Sequence, residues 1–161
     1  MAAKFRKIPP VSLGISMVKL LMGKLRCSKQ YFGNSIKTED GEVFTIFRHI
    51  STFPLDESDT AIIFIVRFKF ARLSHKANKI ASIIPMLLIA GFPGFKTKMY
   101  AVNNKNGYWQ GMYQWESKQA LEEYKKSFIF KMMNRRAIKS SVNSIEFDNI
   151  HLIDFIKKNK I

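Results

Sequence analysis

The order of strand-like and helix-like segments across residues 60–148 constrains this chain more than any other feature. Residues 60–70 (TAIIFIVRFKF) are β-branched and aromatic, and the far end alternates. Phe64, Val66, Phe68 and Phe70 fall on one face, with Arg67 and Lys69 on the other. Ser74 is placed to cap a helix to about Ile84, with Ala77, Ile80, Ala81 and Ile84 at one-face spacing. Pro85 is expected to end or kink it, because a residue before proline avoids the α region. Gly91-Phe92-Pro93-Gly94 turns into a strand over 95–102, and Asn103 to Gly107 forms a hairpin loop. A third strand over 108–116 (YWQGMYQWE) places Trp109, Tyr113 and Trp115 on one face. Ser117 caps a second helix with a buried stripe of Ala120, Leu121, Tyr124 and Phe128 and a Glu122–Lys126 pair. It continues past a break at Ser127 to about Arg136, and residues 140–148 supply a fourth strand.

Strand, helix, strand, strand, helix, strand with right-handed crossovers puts both helices on one face of a four-stranded antiparallel sheet. This is a ferredoxin-like α+β arrangement. The other face is expected to stand bare and to meet a partner, most simply a second copy of the chain.

Three segments follow from the pattern. Residues 1–41 form a basic helical extension, 42–150 the α+β domain with an extra strand over 43–52, and 151–161 a short amphipathic tail. Pro9 and Pro10 suit the first turn of a helix over 11–25. That helix packs on the domain or a partner subunit, or lies on a membrane surface between basic flanks.

The chain has 161 residues, and 47% are hydrophobic, enough for one domain with a core. Its 27 Lys and Arg outnumber 12 Asp and Glu, for a net charge of +15 that raises an anionic partner. The charge is unevenly spread: +8 over residues 1–38, −5 over 39–59, +10 over 60–150 and +2 beyond. One cysteine, Cys27, excludes an intrachain disulfide and a Cys-rich zinc site. No His-x-x-x-His, P-loop, Gly-x-Gly-x-x-Gly or Gly-x-Ser-x-Gly motif occurs, so neither a metal nor a cofactor is expected. No apolar run reaches the ~20 residues of a membrane span. Lys19 interrupts the N-terminal apolar stretch and no small-x-small cleavage site follows, so a cytoplasmic location is expected.

The stretch from Ala90 to Tyr100 (AGFPGFKTKMY), followed by residues 107–117 (GYWQGMYQWES), resembles the dimeric α+β barrel group. That group includes the antibiotic-biosynthesis monooxygenases and the YdhR-like proteins. In it a Pro-Gly-Phe turn enters the second strand, and a strand ending in an aromatic and an acidic residue leads to a helix with an Ala…Tyr stripe, here Ala120 and Tyr124. The likeness spans roughly residues 43–148 and implies a homodimer. It leaves the activity open, because the group mixes cofactor-independent oxygenases, haem-degrading enzymes and isomerases. The Asn-and-Trp arrangement of the haem-degrading members has no counterpart placed by motif here, and the region before Thr60 departs from the minimal fold.

A small-molecule pocket is expected between sheet and helices, taking an apolar or aromatic ligand. Tyr100, Trp109 and Tyr113 are the candidate substrate-binding residues. A cofactor-independent monooxygenase needs a base and an anion stabiliser. His75 or His49 is the candidate base, and Arg67 the candidate stabiliser. Each has a plainer reading: the histidines as surface or satisfied residues, Arg67 as a salt-bridging residue, the aromatics as core. Two alternatives remain. RNA-recognition motifs share this element order and stack bases on first- and third-strand aromatics. Ile63-Phe64-Ile65 imitates the first-strand motif, but Trp109 stands where that pattern needs a small residue. The third reading is a peripheral membrane protein anchored by the N-terminal helix.

Overall fold

A computed structural model describes residues 8–55 and 61–161. The basic residues before Ile8, the acidic connection over 56–59 and the expected strand opening at Thr60 lie outside the described residues. The elements in chain order are α1 (Pro9–Leu21), β1 (Leu25–Ser28), β2 (Ser35–Lys37), β3 (Val43–Thr52), β4 (Ile62–Phe68), α2 (His75–Ala81), α3 (Ile83–Ala90), β5 (Phe95–Val102), β6 (Trp109–Trp115), α4 (Lys118–Lys126), α5 (Phe128–Arg135), β7 (Asn143–Asp148) and α6 (Leu152–Asn159).

The strands form one antiparallel sheet in the order β1-β3-β5-β6-β4-β7, with β2 added on β3. The segment β4-α-β5-β6-α-β7 has the β7-β4-β6-β5 order of a ferredoxin-like unit, and β3 and β1 widen it beyond β5. Caps act where the sequence places them. The Ser74, Ser117 and Ser127 hydroxyls accept from the backbone N–H of Ala77, Ala120 and Phe130.

Several expectations are corrected. The first helix ends at Leu21, and Leu25 begins a strand on β3 instead of a further turn. The helix expected from Ser74 to about Ile84 breaks at Ser82, not Pro85. Pro85 sits in the first turn of α3, where its missing N–H costs nothing. Ile80 and Ile84 are exposed, and α2 buries Asn78 instead. Phe128 is exposed, because the break at Ser127 turns Ile129 inward. Lys125, not Lys126, pairs with Glu122, and it also reaches Glu146.

The sheet has a core on each face. Toward α3, α4 and α5 lie Phe64, Phe92, Tyr113, Trp115, Leu121, Tyr124 and Ile129. Trp115 and Tyr124 stack with ring centres 4.7 Å apart. The opposite face is not bare. Tyr31, Ile36, Leu152 and Ile156 pack there on Phe44, Ile46, Ile63, Ile65, Met99 and Met112. A cleft of about 510 Å³ is open on that side beside β7, lined by Arg67, Ile145, Phe147 and Phe155 among others.

Candidate functional site

A β-bulge stands behind one wall of the site, with Phe47 against the lining residues Tyr100 and Trp109. Between Ile46 and Arg48 the pairing of β3 with β5 slips by one residue, so Phe47 is the extra residue. Phe47 and Arg48 both reach the helix side. Phe47 lies edge-on to Trp109 with centres 5.0 Å apart, and the Arg48 guanidinium donates to Ser82 Oγ (2.6 Å) and to the Lys79 carbonyl (2.7 Å). Those bonds fix the start of α3 against the sheet.

Between sheet and helices, Phe68, Phe70, Ser82, Pro85, Lys98, Tyr100, Trp109, Gly111, Tyr113, Met133 and Arg136 line a cleft. Its free space is only about 20 Å³, room for roughly one water. At its centre is Lys98. The side chain is fully buried and Nζ has no hydrogen-bond partner. It lies 4.0 Å from the Tyr100 ring centre and 4.2 Å from that of Tyr113. Burial, and secondarily the Arg48 charge, hold its pKa well below that of a free lysine. Among the described residues no carboxylate lines this cleft, so none there offsets the cost of burying the charged form.

The Tyr100 and Tyr113 hydroxyls are also buried without a hydrogen bond, and burial raises both phenols above their ordinary pKa. Gly111 makes the arrangement possible. A Cβ there would come within 2.9 Å of the Tyr113 ring. Arg136 stands over the Phe70 ring at 5.0 Å and donates to the Asn78 amide oxygen.

The structure separates the sequence-predicted residues. Tyr100, Trp109 and Tyr113 come together around Lys98. His75 joins them only at the rim, exposed, where its Nδ1 accepts from Trp109 Nε1 at 2.9 Å. Arg67 and His49 lie across the sheet. Arg67 donates to Gln110 and pairs with Asp40. His49 bonds Thr97 Oγ1 through Nε2 at 2.9 Å and meets the Tyr31 ring edge-on. Burial lowers its pKa to about 4. Among the described residues no group of three His, Cys, Asp or Glu could hold a metal ion.

Lys98 is the site residue that the sequence pattern does not single out. Its signal is parity: it stands two positions before Tyr100 on the same strand, and so shares its face. Arg48 is hidden by the bulge, which no pattern in the strand announces.

The face opposite the helices offers Ile63, Ile65 and Arg67 from β4 and Gln110, Met112 and Gln114 from β6. These give a nucleic-acid base nothing to stack on. The aromatics of both strands point to the helices.

No family model matches the chain, and no curated protein matches it. Solved structures share its fold. A structure described as an anthrone oxidase-like protein superposes with a TM-score of 0.52 at 15% identity, over 68% of this chain and 55% of its own. An uncharacterised ferredoxin-fold protein related to antibiotic biosynthesis monooxygenases, from Listeria monocytogenes, superposes with a TM-score of 0.51 at 9% identity, over 84% of this chain and 89% of its own. This chain thus spans about half the length of the anthrone oxidase-like protein. The chain therefore has the ferredoxin-like fold of proteins related to the antibiotic-biosynthesis monooxygenases, the group its motifs resemble.

Proposed function

We propose that the helix-face cleft binds a small apolar or aromatic molecule with an acidic C–H bond and oxidises it without a cofactor, in the manner of a monooxygenase. The observation that carries this reading is Lys98, a buried amine with no hydrogen-bond partner in a cleft lined, among the described residues, by no carboxylate. Burial without a partner favours the uncharged form of an amine, and that is the form that acts as a base.

The amine takes a proton from a methylene activated by a neighbouring carbonyl or aromatic rings. The electron pair left behind spreads into an enolate, which the new ammonium holds with Arg48 and Arg136 close by. The electron pair then bonds to dioxygen, the ammonium returns its proton to the peroxide, and loss of water leaves a carbonyl. The step balances: a methylene and a dioxygen molecule are consumed, and a carbonyl and a water molecule are formed. The methylene carbon is oxidised, and dioxygen is reduced. Tyr100, Trp109 and Tyr113 supply the apolar cage. Because the free space is so small, binding requires Met133 and Phe70, both partly buried, to move aside.

In this reading His75 orients Trp109 at the rim, and His49 and Arg67, which bond on the other face of the sheet, are given no role. For a second copy, expected at the sheet face, the cleft beside β7 is an open place to meet there.

The fold likeness suggests a probe, anthrone, and not an activity. Trp115→Phe leaves Trp109 as the sole tryptophan, so quenching reports binding. Quenching by anthrone with oxygen uptake is the expected result. Lys98→Met should bind yet lose uptake, while stability rises by about 1–3 kcal/mol because a buried amine without a hydrogen bond is replaced by an apolar side chain of like length. Undiminished uptake in Lys98→Met, or no quenching and no uptake in the parent, would reject the reading.

A further inference from the structure

α1 is docked the wrong way round for a helix that ends at water. Its buried residues are Ser12 and Ser16. Ser12 Oγ donates to the Leu88 carbonyl at 2.8 Å, and Ser16 Oγ donates to the carbonyls of Ser12 and Leu87. Gly91 lies against the Ser12 backbone. The exposed positions of α1 are Pro10, Val11, Gly14, Met17, Val18 and Leu21. Spaced at about 100° per residue, they form one arc, and it holds no polar or charged side chain. Exposure grows toward its C-terminal end: Val18 is 54% exposed, Leu21 85% and Met22, just beyond, 60%.

The patch continues onto α3. Ser12 meets Gly91 and Leu88 while Ser16 meets Leu87, so α1 and α3 run antiparallel. That brings the start of α3, with Ile83 and Ile84 exposed, beside the end of α1. Contiguous apolar surface of this kind marks a docking site.

Charge says what docks. Residues 1–38 contain eight Lys and Arg and no Asp or Glu. Lys24 and Arg26 follow α1 directly and are exposed. Arg26 lies over the exposed Phe53 ring at 3.3 Å, which adds an aromatic to the same end. Lys4, Arg6 and Lys7 precede the helix in the sequence. An apolar arc between basic flanks is complementary to an anionic lipid surface, with the arc in the acyl boundary and the cations among the headgroups. We propose that the exposed face of α1, with the start of α3, docks this protein on anionic membranes. Among the described residues no helix is long and apolar enough to cross a membrane, so the contact is peripheral.

Co-sedimentation with vesicles tests this. One set is phosphatidylcholine, the other equal parts of phosphatidylcholine and phosphatidylserine. The protein should sediment with the anionic set, and less so at high salt. Val18→Glu with Leu21→Glu should abolish sedimentation without lowering the melting temperature, since neither side chain is packed. Lys24→Gln with Arg26→Gln should weaken it by about tenfold or more. Three results would each overturn the proposal. The first is no sedimentation with either set at low salt. The second is equal sedimentation with both sets. The third is no lipid binding together with an oligomer that the Val18 and Leu21 changes dissociate, which would assign the face to a second copy.

Discussion

His49 sits on β3 with its ring nearly closed off from solvent, Nε2 on Thr97 and Nδ1 without a partner. No carboxylate is bonded to it, so burial disfavours its charged form and lowers its pKa from 6.5 to about 4. The unfolded chain therefore binds a proton that the folded chain refuses across that interval. Stability is unaffected by this group above pH 6.5 and falls as pH drops from 6.5 toward 4. The loss is on the order of 3 kcal/mol at the acid end. Urea titrations at pH 7 and pH 4.5 should show a larger drop for the parent than for His49→Gln, which stays neutral. Equal drops would mean that the ring is protonated in the folded state. Lys98 is disfavoured as a cation by the same physics, yet only it faces a cleft. The difference lies in strand parity. Tyr100 is legible in the sequence as a pocket residue, and position 98 follows from it by the two-residue period. His49 stands out by its chemistry alone, without a face, and the bulge before it scrambles parity in that strand.

At the scale of elements, strands and caps are readable because their signals are local. Alternation, β-branching and serine before a helix need no knowledge of what packs above. The helix faces are not readable by the same rule. In α1 and α2 the apolar stripe suggests the buried side, whereas the fully buried positions are Ser12, Ser16 and Asn78, with Leu13 and Leu20 only partly buried against the core. Small residues permit a close helix–helix approach, and their hydroxyls satisfy the carbonyls they meet. Hydrophobic periodicity is silent about such an interface. Two glycines separate close approach from mere flexibility. At Gly91 a Cβ would fall 1.9 Å from the Ser12 carbonyl oxygen, a backbone atom that cannot swing away. Gly91→Ala should cost about 3 kcal/mol or more by forcing α1 off α3. At Gly14, within α1, a Cβ would meet nothing within 4 Å. Gly14→Ala should instead stabilise by about 0.5–1 kcal/mol through helix propensity. Thermal melts of the two variants should move in opposite directions. A shared direction would mean that α1 does not rest on α3 through this contact.

For the whole molecule, the sheet has two cores and the chain's last residues close the second. The sequence pattern ends the domain near residue 150, because the tail is short and basic at its end. Nothing in that pattern announces that β1, β2 and β3 widen the sheet into a platform for the tail. Leu152 and Ile156 are buried on Ile36, Ile63 and Met112. The Leu152 N–H donates to Gln114 Oε1 at 2.9 Å, and the Ile161 N–H donates to the Ser35 carbonyl at 3.0 Å. The helix thus covers apolar surface and satisfies a buried amide near the end of β6. Leu152→Ala should destabilise by about 2–5 kcal/mol, the range for a large-to-small change in a core. Removing residues 151–161 has a second consequence. It uncovers an apolar sheet face of the kind that pairs with another copy, and leaves the Gln114 amide facing it. The shortened chain should therefore be less stable and of higher native mass than the full chain at equal concentration. If it keeps both the mass and the stability of the full chain, then α6 is an appendage and the sheet face it covers has no need of a cover.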